Sequence, residues 1–370
     1  MKENFCINSR HIQIRGRVGV IILGIILLFT SFTLAADEID DAWADIIDSY
    51  SFENYEAVID QATDLFSLVT PFSDLYLIRG IAYRDTGYFA EAHEDFDAAI
   101  ELQSDNGYNF FHRGYAFLME YYYVYAINDF TSAINLIPDM YESYWNRGIA
   151  YNWISENNLS LKDLNQAIEL IPQYNPYLFR DRGVVLNELG LYDDALYDYS
   201  TAIDMFPDEP NFYAERGLVL QTLDNYQASI ADLDSAILLR NIANSDDYYN
   251  RGVSYAQLMQ YEEAVLDFTE SIILQPGEVD ALNNRAWSYI QLDRFLEAVE
   301  DCTTAIELDP DYPVSYFNRA AALERMNERE AAIADYNVVI ELAPLDESGQ
   351  YESVVIDAQA AIDKLEKVDG

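Results

Sequence analysis

Eight arginines recur at a nearly constant spacing, and they are the side chains in this sequence best suited to chemistry. Their separations are 34, 34, 35, 34, 35, 34 and 34 residues, and they are Arg79, Arg113, Arg147, Arg182, Arg216, Arg251, Arg285 and Arg319. A guanidinium holds a carboxylate or phosphate through two parallel hydrogen bonds, so the set could bind anionic ligands or form ion pairs within the fold. We favour ion pairs, because a ligand site would not normally repeat identically in every unit.

An aspartate follows each of these arginines after sixteen residues, and the eight are Asp95, Asp129, Asp163, Asp198, Asp232, Asp267, Asp301 and Asp335. Each aspartate could pair within its own repeat or with the arginine of the next. On a helical wheel the arginine lies opposite the residues that face its own second helix, so we predict the inter-repeat pairing. The expected pairs are Asp95–Arg113, Asp129–Arg147, Asp163–Arg182, Asp198–Arg216, Asp232–Arg251, Asp267–Arg285 and Asp301–Arg319. Such a ladder would set the angle between repeats.

Few other side chains offer chemistry. His93 and His112 are assigned surface or network roles, and Cys302 takes a position that holds Phe96 or Phe130 in other repeats, which indicates a buried thiol. Acidic runs such as "DEIDD" lack EF-hand spacing. The sequence contains no Gly-rich phosphate loop, HExxH, CxxC or GxSxG motif. We therefore predict no catalytic residue, cofactor or metal site.

Other residue types recur at fixed distances from the arginines. A glycine follows each of the first six, while Ala286 and Ala320 follow the last two; an aromatic stands four residues before this small residue in seven of eight copies, and Ala or Ser stands twelve after it. Apolar residues recur every three to four positions in two runs of about 13 residues, and proline closes most units. Each unit is therefore predicted to be a helix–turn–helix hairpin. Because alanine replaces the glycine, we interpret the position as a close contact between the two helices, opposite the Ala or Ser.

The segments "YESYWNRGIAYNW" and "FLEAVEDCTTAIELDP" resemble the two helices of a tetratricopeptide repeat. The resemblance implies a right-handed α-solenoid of stacked helix-turn-helix units. It divides the chain into a leader (1–36), a degenerate helical unit (37–72), eight repeats (73–346) and a C-terminal capping segment (347–370). The stretch "EYYYVYA" departs from the pattern, because repeat two should turn on glycine.

The leader carries four basic residues ahead of the uncharged run 18–36, which ends in "TSFTLAADE". This order is typical of a secretory signal peptide cleaved after Ala35, and the alternative is a retained membrane anchor over residues 18–36. Either way, we expect the rest of the chain to be extracytoplasmic: secreted, periplasmic or attached to the cell envelope.

The chain is strongly acidic, with 21 basic and 65 acidic residues and a formal charge of −44. Residues 1–35 hold four basic residues and one acid, so the remainder carries 17 basic and 64 acidic residues, a charge of −47. This excludes nucleic acid as an expected partner and favours a basic one. Three lysines follow the leader (Lys162, Lys364 and Lys367), none on a first helix, which disfavours a groove that clamps a terminal carboxylate.

The resemblance implies a non-catalytic scaffold that binds a protein or peptide segment in a concave groove lined by first helices. The alternatives are a structural solenoid that self-assembles and, less favoured, a hydrolase built from acidic residues. Groove positions are expected three residues before the glycine and one or five after it. The candidates are Phe111, Tyr115, Met119, Trp145, Ile149, Trp153, Tyr249, Trp287 and Phe317. Among them we predict that Phe111, Trp145 and Trp153 are partly exposed.

Overall fold

The structure is a computed structural model that describes residues 36–171, 175–342 and 351–367. These residues form nineteen helices and no strand. The first helices of the eight hairpins are α3 (Ser73–Asp85), α5 (Gly107–Met119), α7 (Tyr141–Trp153), α9 (Pro176–Glu188), α11 (Pro210–Thr222), α13 (Ser245–Gln257), α15 (Val279–Gln291) and α17 (Pro313–Arg325). The second helices are α4 (Phe89–Leu102), α6 (Tyr123–Leu136), α8 (Asn157–Leu170), α10 (Tyr192–Met205), α12 (Tyr226–Leu239), α14 (Tyr261–Leu274), α16 (Phe295–Leu308) and α18 (Arg329–Leu342). The remaining helices are α1 (Ala36–Ser51), α2 (Tyr55–Leu68) and α19 (Glu352–Lys367).

The fold is that of an α-solenoid, and within each unit each helix packs mainly on its neighbours in sequence. Contacts divide the chain into two units, α1–α4 and α5–α19. In the first unit, Ile46, Val58, Leu65 and Leu75 form a buried cluster from α1, α2 and α3. In the second, each first helix also touches the next first helix along the chain. The predicted leader, residues 1–36, lies almost entirely outside the described residues. Within them, no helix is both long enough and apolar enough to cross a bilayer.

A residue with positive φ reverses the chain inside every hairpin. Gly87 and Gly190 occupy this position in two repeats, and non-glycine residues do so in the others, including Tyr121 at φ 65°. The amide of the following residue reaches back to close the helix; that of Tyr122, for example, donates to the Phe117 carbonyl at 2.8 Å. The hairpin geometry thus survives without glycine, at the strain that a side chain brings to this backbone region.

Hairpins are held together by small residues at the helix crossing. Ala126 and Ala133 are buried on α6, and a Cβ added to Gly114 would lie 3.2 Å from Phe130 and 3.0 Å from the Cβ of Asp129. The expected close contact is therefore present. The partner is corrected: the residue sixteen positions on makes the nearest contact at most of these glycines, rather than the Ala or Ser twelve on.

The C-terminal helix covers the last hairpin. Ala358 and Ile362 of α19 join a buried cluster with Ala320, Tyr336 and Val339. The outward side of α19 is mostly polar, with exposed Glu352, Asp357 and Glu366 among others. A polar outer surface of this kind ends a solenoid, because another hairpin would gain little from stacking on it.

We predict that Gly252→Ala destabilises the chain by about 1–3 kcal/mol, because the new Cβ would lie 2.9 Å from Phe268 in a filled core. Denaturant unfolding measures the change. The matched control is Gly277→Ala, whose Cβ would meet nothing within 4 Å. Equal stability of the two variants would contradict the packing role of Gly252.

Candidate functional site

Each repeated arginine binds the aspartate of its own hairpin through two hydrogen bonds. Nε donates to one carboxylate oxygen and Nη2 to the other, at 2.6–2.9 Å, and all eight pairs share this geometry. The pairs are Arg79–Asp95, Arg113–Asp129, Arg147–Asp163, Arg182–Asp198, Arg216–Asp232, Arg251–Asp267, Arg285–Asp301 and Arg319–Asp335. All eight aspartates are buried. The arginines therefore neutralise carboxylates inside the helix pairs.

The predicted inter-repeat pairing is wrong. Asp95 binds Arg79 instead of Arg113, and Asp129 binds Arg113 instead of Arg147. The other five aspartates likewise bind the arginine of their own repeat, as Asp163 binds Arg147. The reason is the small residue beside the arginine, glycine in six repeats and alanine in two, which lets the helices approach closely: a Cβ on Gly80 would lie 3.2 Å from the Cβ of Asp95. Because the two backbones are this close, the aspartate carboxylate on the second helix reaches the guanidinium on the first helix of its own hairpin.

The third donor of the guanidinium makes the link between hairpins. Nη1 of Arg147 donates to Thr131 Oγ1 on α6 at 3.0 Å, and Nη1 of Arg182 donates to Asn165 Oδ1 on α8 at 2.8 Å. Equivalent bonds join Arg79–Thr63, Arg216–Ser200, Arg251–Asp234, Arg285–Thr269 and Arg319–Thr303. These seven arginines thus connect their own hairpins to the preceding second helix, although not through the predicted atoms.

The recurrent aromatic packs beside the arginine. The guanidinium carbon lies 5.6–5.9 Å from the ring centroid in six repeats, which pair Arg113–Phe110, Arg147–Tyr144, Arg182–Phe179, Arg216–Tyr213, Arg251–Tyr248 and Arg319–Tyr316. Repeat seven has Leu282 at this position, and there Tyr289 supplies a ring at 5.8 Å from Arg285. Cation–π attraction therefore adds to the ion pair.

Burial raises the pKa of the Asp95 and Asp267 carboxyls, and the hydrogen bonds from Arg79 and Arg251 oppose that rise. The same bond acts on the other partner, because the hydrogen bond to Asp232 raises the pKa of Arg216. In each pair the arginine therefore favours the charged form of the carboxyl, and burial disfavours it.

The first-helix face is defined here as the surface formed in the second unit by the residues three before and one or five after each helix-crossing glycine or alanine. It contains the nine predicted groove residues. The exposed ones are Met119, Trp153 and Trp287, and the half-buried ones are Phe111, Tyr115, Tyr249 and Phe317. The side chain of Trp153 is 51% exposed and that of Trp287 43%. These two are the large rings that a partner could reach.

The predicted exposure of Trp145 is wrong. Trp145 is only 3% exposed, and its indole N–H donates to Asp181 Oδ2 on α9 at 2.7 Å. Ile149 is buried as well. Trp145 lies where α7 packs against α9 and helps to hold neighbouring hairpins together, and both residues offer little surface to a partner.

A network that the sequence analysis missed extends this contact. Asp181 also accepts from Arg180 Nη1 at 2.9 Å, and Arg180 binds both carboxylate oxygens of Glu215 on α11. Burial raises the pKa of Glu215, against the opposing effect of Arg180. The network links α7, α9 and α11, and the presence of an arginine three residues before Gly183 was its only signal in the sequence.

The remaining reactive side chains lie in packed surroundings. Cys302 is buried in a cluster with Ala286, and burial raises the pKa of its thiol. His112 is buried on α5 with its ring 5.1 Å from that of Phe111, and His93 is half-buried on α4. A thiol with a raised pKa is a poor nucleophile.

Comparison with protein-family models identifies repeats of one kind. Models described as tetratricopeptide repeat match residues 73–106, 180–247, 279–312 and 313–344. Comparison with curated proteins gives no match.

Several solved structures share the fold. A tetratricopeptide repeat protein from Parabacteroides merdae is 19% identical with a TM-score of 0.52, and the similarity covers 69% of this chain and 98% of that one. The C-terminal part of a repeat-containing protein from Cytophaga hutchinsonii is 18% identical with a TM-score of 0.55, over 67% and 98%. The APC/C hetero-tetramer Cut9–Hcn1 is 14% identical with a TM-score of 0.53; the match covers 78% of this chain but spans only 57% of that one.

We predict a strong energetic coupling between Arg216 and Asp232. Removing Arg216 leaves the buried Asp232 carboxylate without its partner, so Arg216→Leu alone should cost about 3–5 kcal/mol, and the double variant Arg216→Leu/Asp232→Leu should cost less than the sum of the single changes. Urea unfolding of the four proteins measures the coupling.

The control cycle combines Arg216→Leu with Asp198→Leu, the pair expected from sequence alone. Asp198 binds Arg182, so these effects should be close to additive. Coupling of Arg216 to Asp198 as large as that to Asp232 would contradict the observed pairing.

Proposed function

Because the chain belongs to the tetratricopeptide repeat family, whose members are generally protein–protein interaction scaffolds, we propose that it is a non-catalytic, extracytoplasmic scaffold that binds a protein or peptide segment along its first-helix face. The observation that carries this proposal is the exposure of Trp153 and Trp287 on that face. Large rings that remain accessible on a helical surface are common anchors of binding partners.

The charge of the chain supports a basic partner. Of its 21 basic residues, eight are used in the repeated ion pairs, and Arg180, Arg240, Arg325 and Lys364 also bind carboxylates of this chain. The acids far outnumber these cations, so the surface presented to a partner is negative. A positive segment would be attracted over about 10 Å at moderate salt, and an acidic one would be repelled.

The extracytoplasmic location rests on residues 1–36 alone. Four basic residues, an apolar run and small residues before the first acids support export.

Self-assembly by stacking of ends receives less support. Helix α19 buries Ala358 and Ile362 and leaves a mostly polar outer side, which disfavours addition of another copy at that end. The alternative of a hydrolase built from acids gains no supporting observation, since the repeated aspartates are held by arginines.

We expect Trp287→Ala to weaken binding of the captured partner about tenfold while leaving the unfolding temperature close to that of the wild type, because the exposed ring contributes mainly to the interface. Raising NaCl from about 0.05 to about 0.5 M should slow association. The partner is first captured with the full chain and identified, and binding is then measured by surface plasmon resonance.

Leu296→Ala is the matched control, since Leu296 is exposed on α16, the second helix of the same repeat. If Leu296→Ala weakens binding as much as Trp287→Ala, the partner lies on the second helices. An association rate indifferent to salt would contradict the basic partner.

A separate measurement tests the location. We expect protein recovered from outside the cytoplasm to begin at Ala36, because the leader has the order of a cleaved signal peptide. Mass spectrometry of the intact protein decides between this form and one that retains residues 1–36 as an anchor. Finding the uncleaved chain only in the cytoplasm would overturn the extracytoplasmic proposal.

A further inference from the structure

The turn between α5 and α6 carries a dense group of exposed rings. Residues 121–125 read Tyr-Tyr-Tyr-Val-Tyr, and we name this segment the tyrosine turn. Tyr121, Tyr122 and Tyr125 are 54–61% exposed, and Val124 is 62% exposed. The rings contact one another, with centroids of Tyr121 and Tyr123, and of Tyr122 and Tyr125, each 6.3 Å apart. The result is a surface patch of ring faces and edges at the end of one hairpin.

The local structure does not require these residues. Tyr121 adopts φ 65°, at the turn position where repeats one and four have Gly87 and Gly190. Acids occupy the first turn of five second helices (α4, α10, α14, α16 and α18), where they stabilise the helix N-terminus, whereas α6, like α8 and α12, has none. Glycine and acids would therefore serve the hairpin better than tyrosines, which indicates that the rings serve another purpose.

The equivalent turn of repeat seven shows what such a ring surface can hold. There the residues are Asp293, Arg294 and Phe295, and Arg325 of the next hairpin lies over the Phe295 ring at 5.0 Å while its Nη2 binds Asp293 at 2.6 Å. A guanidinium of this chain thus already occupies an aromatic, acidic turn.

In the tyrosine turn no internal cation takes that place. The residue equivalent to Arg325 is Trp153, which stacks on Tyr123 at 5.7 Å with an interplanar angle of 4°. The sequence has no lysine or arginine from Gly114 to Asn146. Among the described residues, no arginine or lysine is found over the rings of Tyr121, Tyr122 or Tyr125.

We propose that the tyrosine turn, which adjoins the first-helix face at Trp153, is a second binding surface, for an arginine-bearing segment of a partner protein. Guanidinium groups lie over the exposed tyrosine rings, as Arg325 lies over Phe295, and the strongly negative charge of the chain attracts them. A second copy of a chain with charge −44 and an anionic bilayer would both be repelled.

The test uses a short synthetic peptide of alternating arginine and leucine, and a counterpart with neutral citrulline in place of arginine. The full chain should bind the arginine peptide and bind the citrulline peptide at least about tenfold more weakly. The triple variant Tyr121→Gly/Tyr122→Ser/Tyr125→Ser should lose about tenfold in affinity for the arginine peptide, since each exposed ring contributes a factor of about 2–5.

The single variant Tyr121→Gly separates binding from folding. Because glycine accepts φ 65° without strain, this variant should unfold at a higher temperature than the wild type and yet bind the arginine peptide more weakly. Met259→Gly is the matched control: Met259 is exposed at the same turn position of repeat six, with φ 59°, so it should gain stability and keep wild-type affinity.

Three results would overturn the proposal. The triple variant could bind the arginine peptide as tightly as the wild type, which would mean that the acidic surface attracts it without the rings. The citrulline peptide could bind equally well, or sedimentation could reveal a dimer that the triple variant loses, which would assign the patch to a neutral ligand or to a second copy. Trp287→Ala should leave the affinity for the arginine peptide unchanged. The proposal for the tyrosine turn and the proposal for the first-helix face can therefore fail independently of each other.

Discussion

The bidentate ion pair between a first-helix arginine and the aspartate sixteen residues later is the interaction on which the other features of the solenoid depend. It joins the two helices of each hairpin, while the third nitrogen of the same guanidinium reaches the preceding second helix, as Arg147 does toward Thr131. In seven of the eight repeats, one guanidinium therefore both closes its hairpin and contacts the preceding second helix. A buried ion pair of this kind adds little net stability over apolar packing, but it is costly to break and admits one geometry. Its role is to define how the helices meet.

The same interaction determines the character of the surface. Of the 17 basic residues that follow the leader, eight form these pairs and Arg180, Arg240, Arg325 and Lys364 bind other carboxylates of the chain, so most of these cations are paired internally while many acids remain outside. The arginines also draw the recurrent aromatics toward themselves, for instance Tyr144 beside Arg147. The surface available to partners is therefore negative and carries a small number of exposed rings that take no part in the repeated ion pairs. Both features favour the binding of cationic groups.

The hairpins could be predicted from sequence because eight copies kept apolar spacing, small residues and proline in register. The pairing of the ladder could not, since a helical wheel treats each helix alone and leaves out how closely the second helix approaches at Gly80 or Gly114. Trp145 was misjudged for a related reason: its position faces outward on an isolated hairpin but meets Asp181 on the next first helix. Spacing within one unit predicts the unit, whereas burial between units depends on residues a full repeat away.

Repetition itself separates the structural residues from the candidates for binding. Arg, Asp and the small residue recur in every hairpin because every hairpin must solve the same packing problem. Trp153, Trp287 and the tyrosine turn occur once each at positions where other repeats carry different residues, and they remain exposed after folding. At the turn position the contrast is sharpest: Gly190 meets the backbone requirement without strain, and Tyr121 meets the same requirement at a cost while presenting its ring to solvent. Non-glycine residues accept the same strain in six of the eight hairpins, so the strain alone does not distinguish Tyr121. What distinguishes it is its exposed ring beside the rings of Tyr122, Tyr123 and Tyr125, and such a group of rings is most simply explained by what it contacts outside the chain.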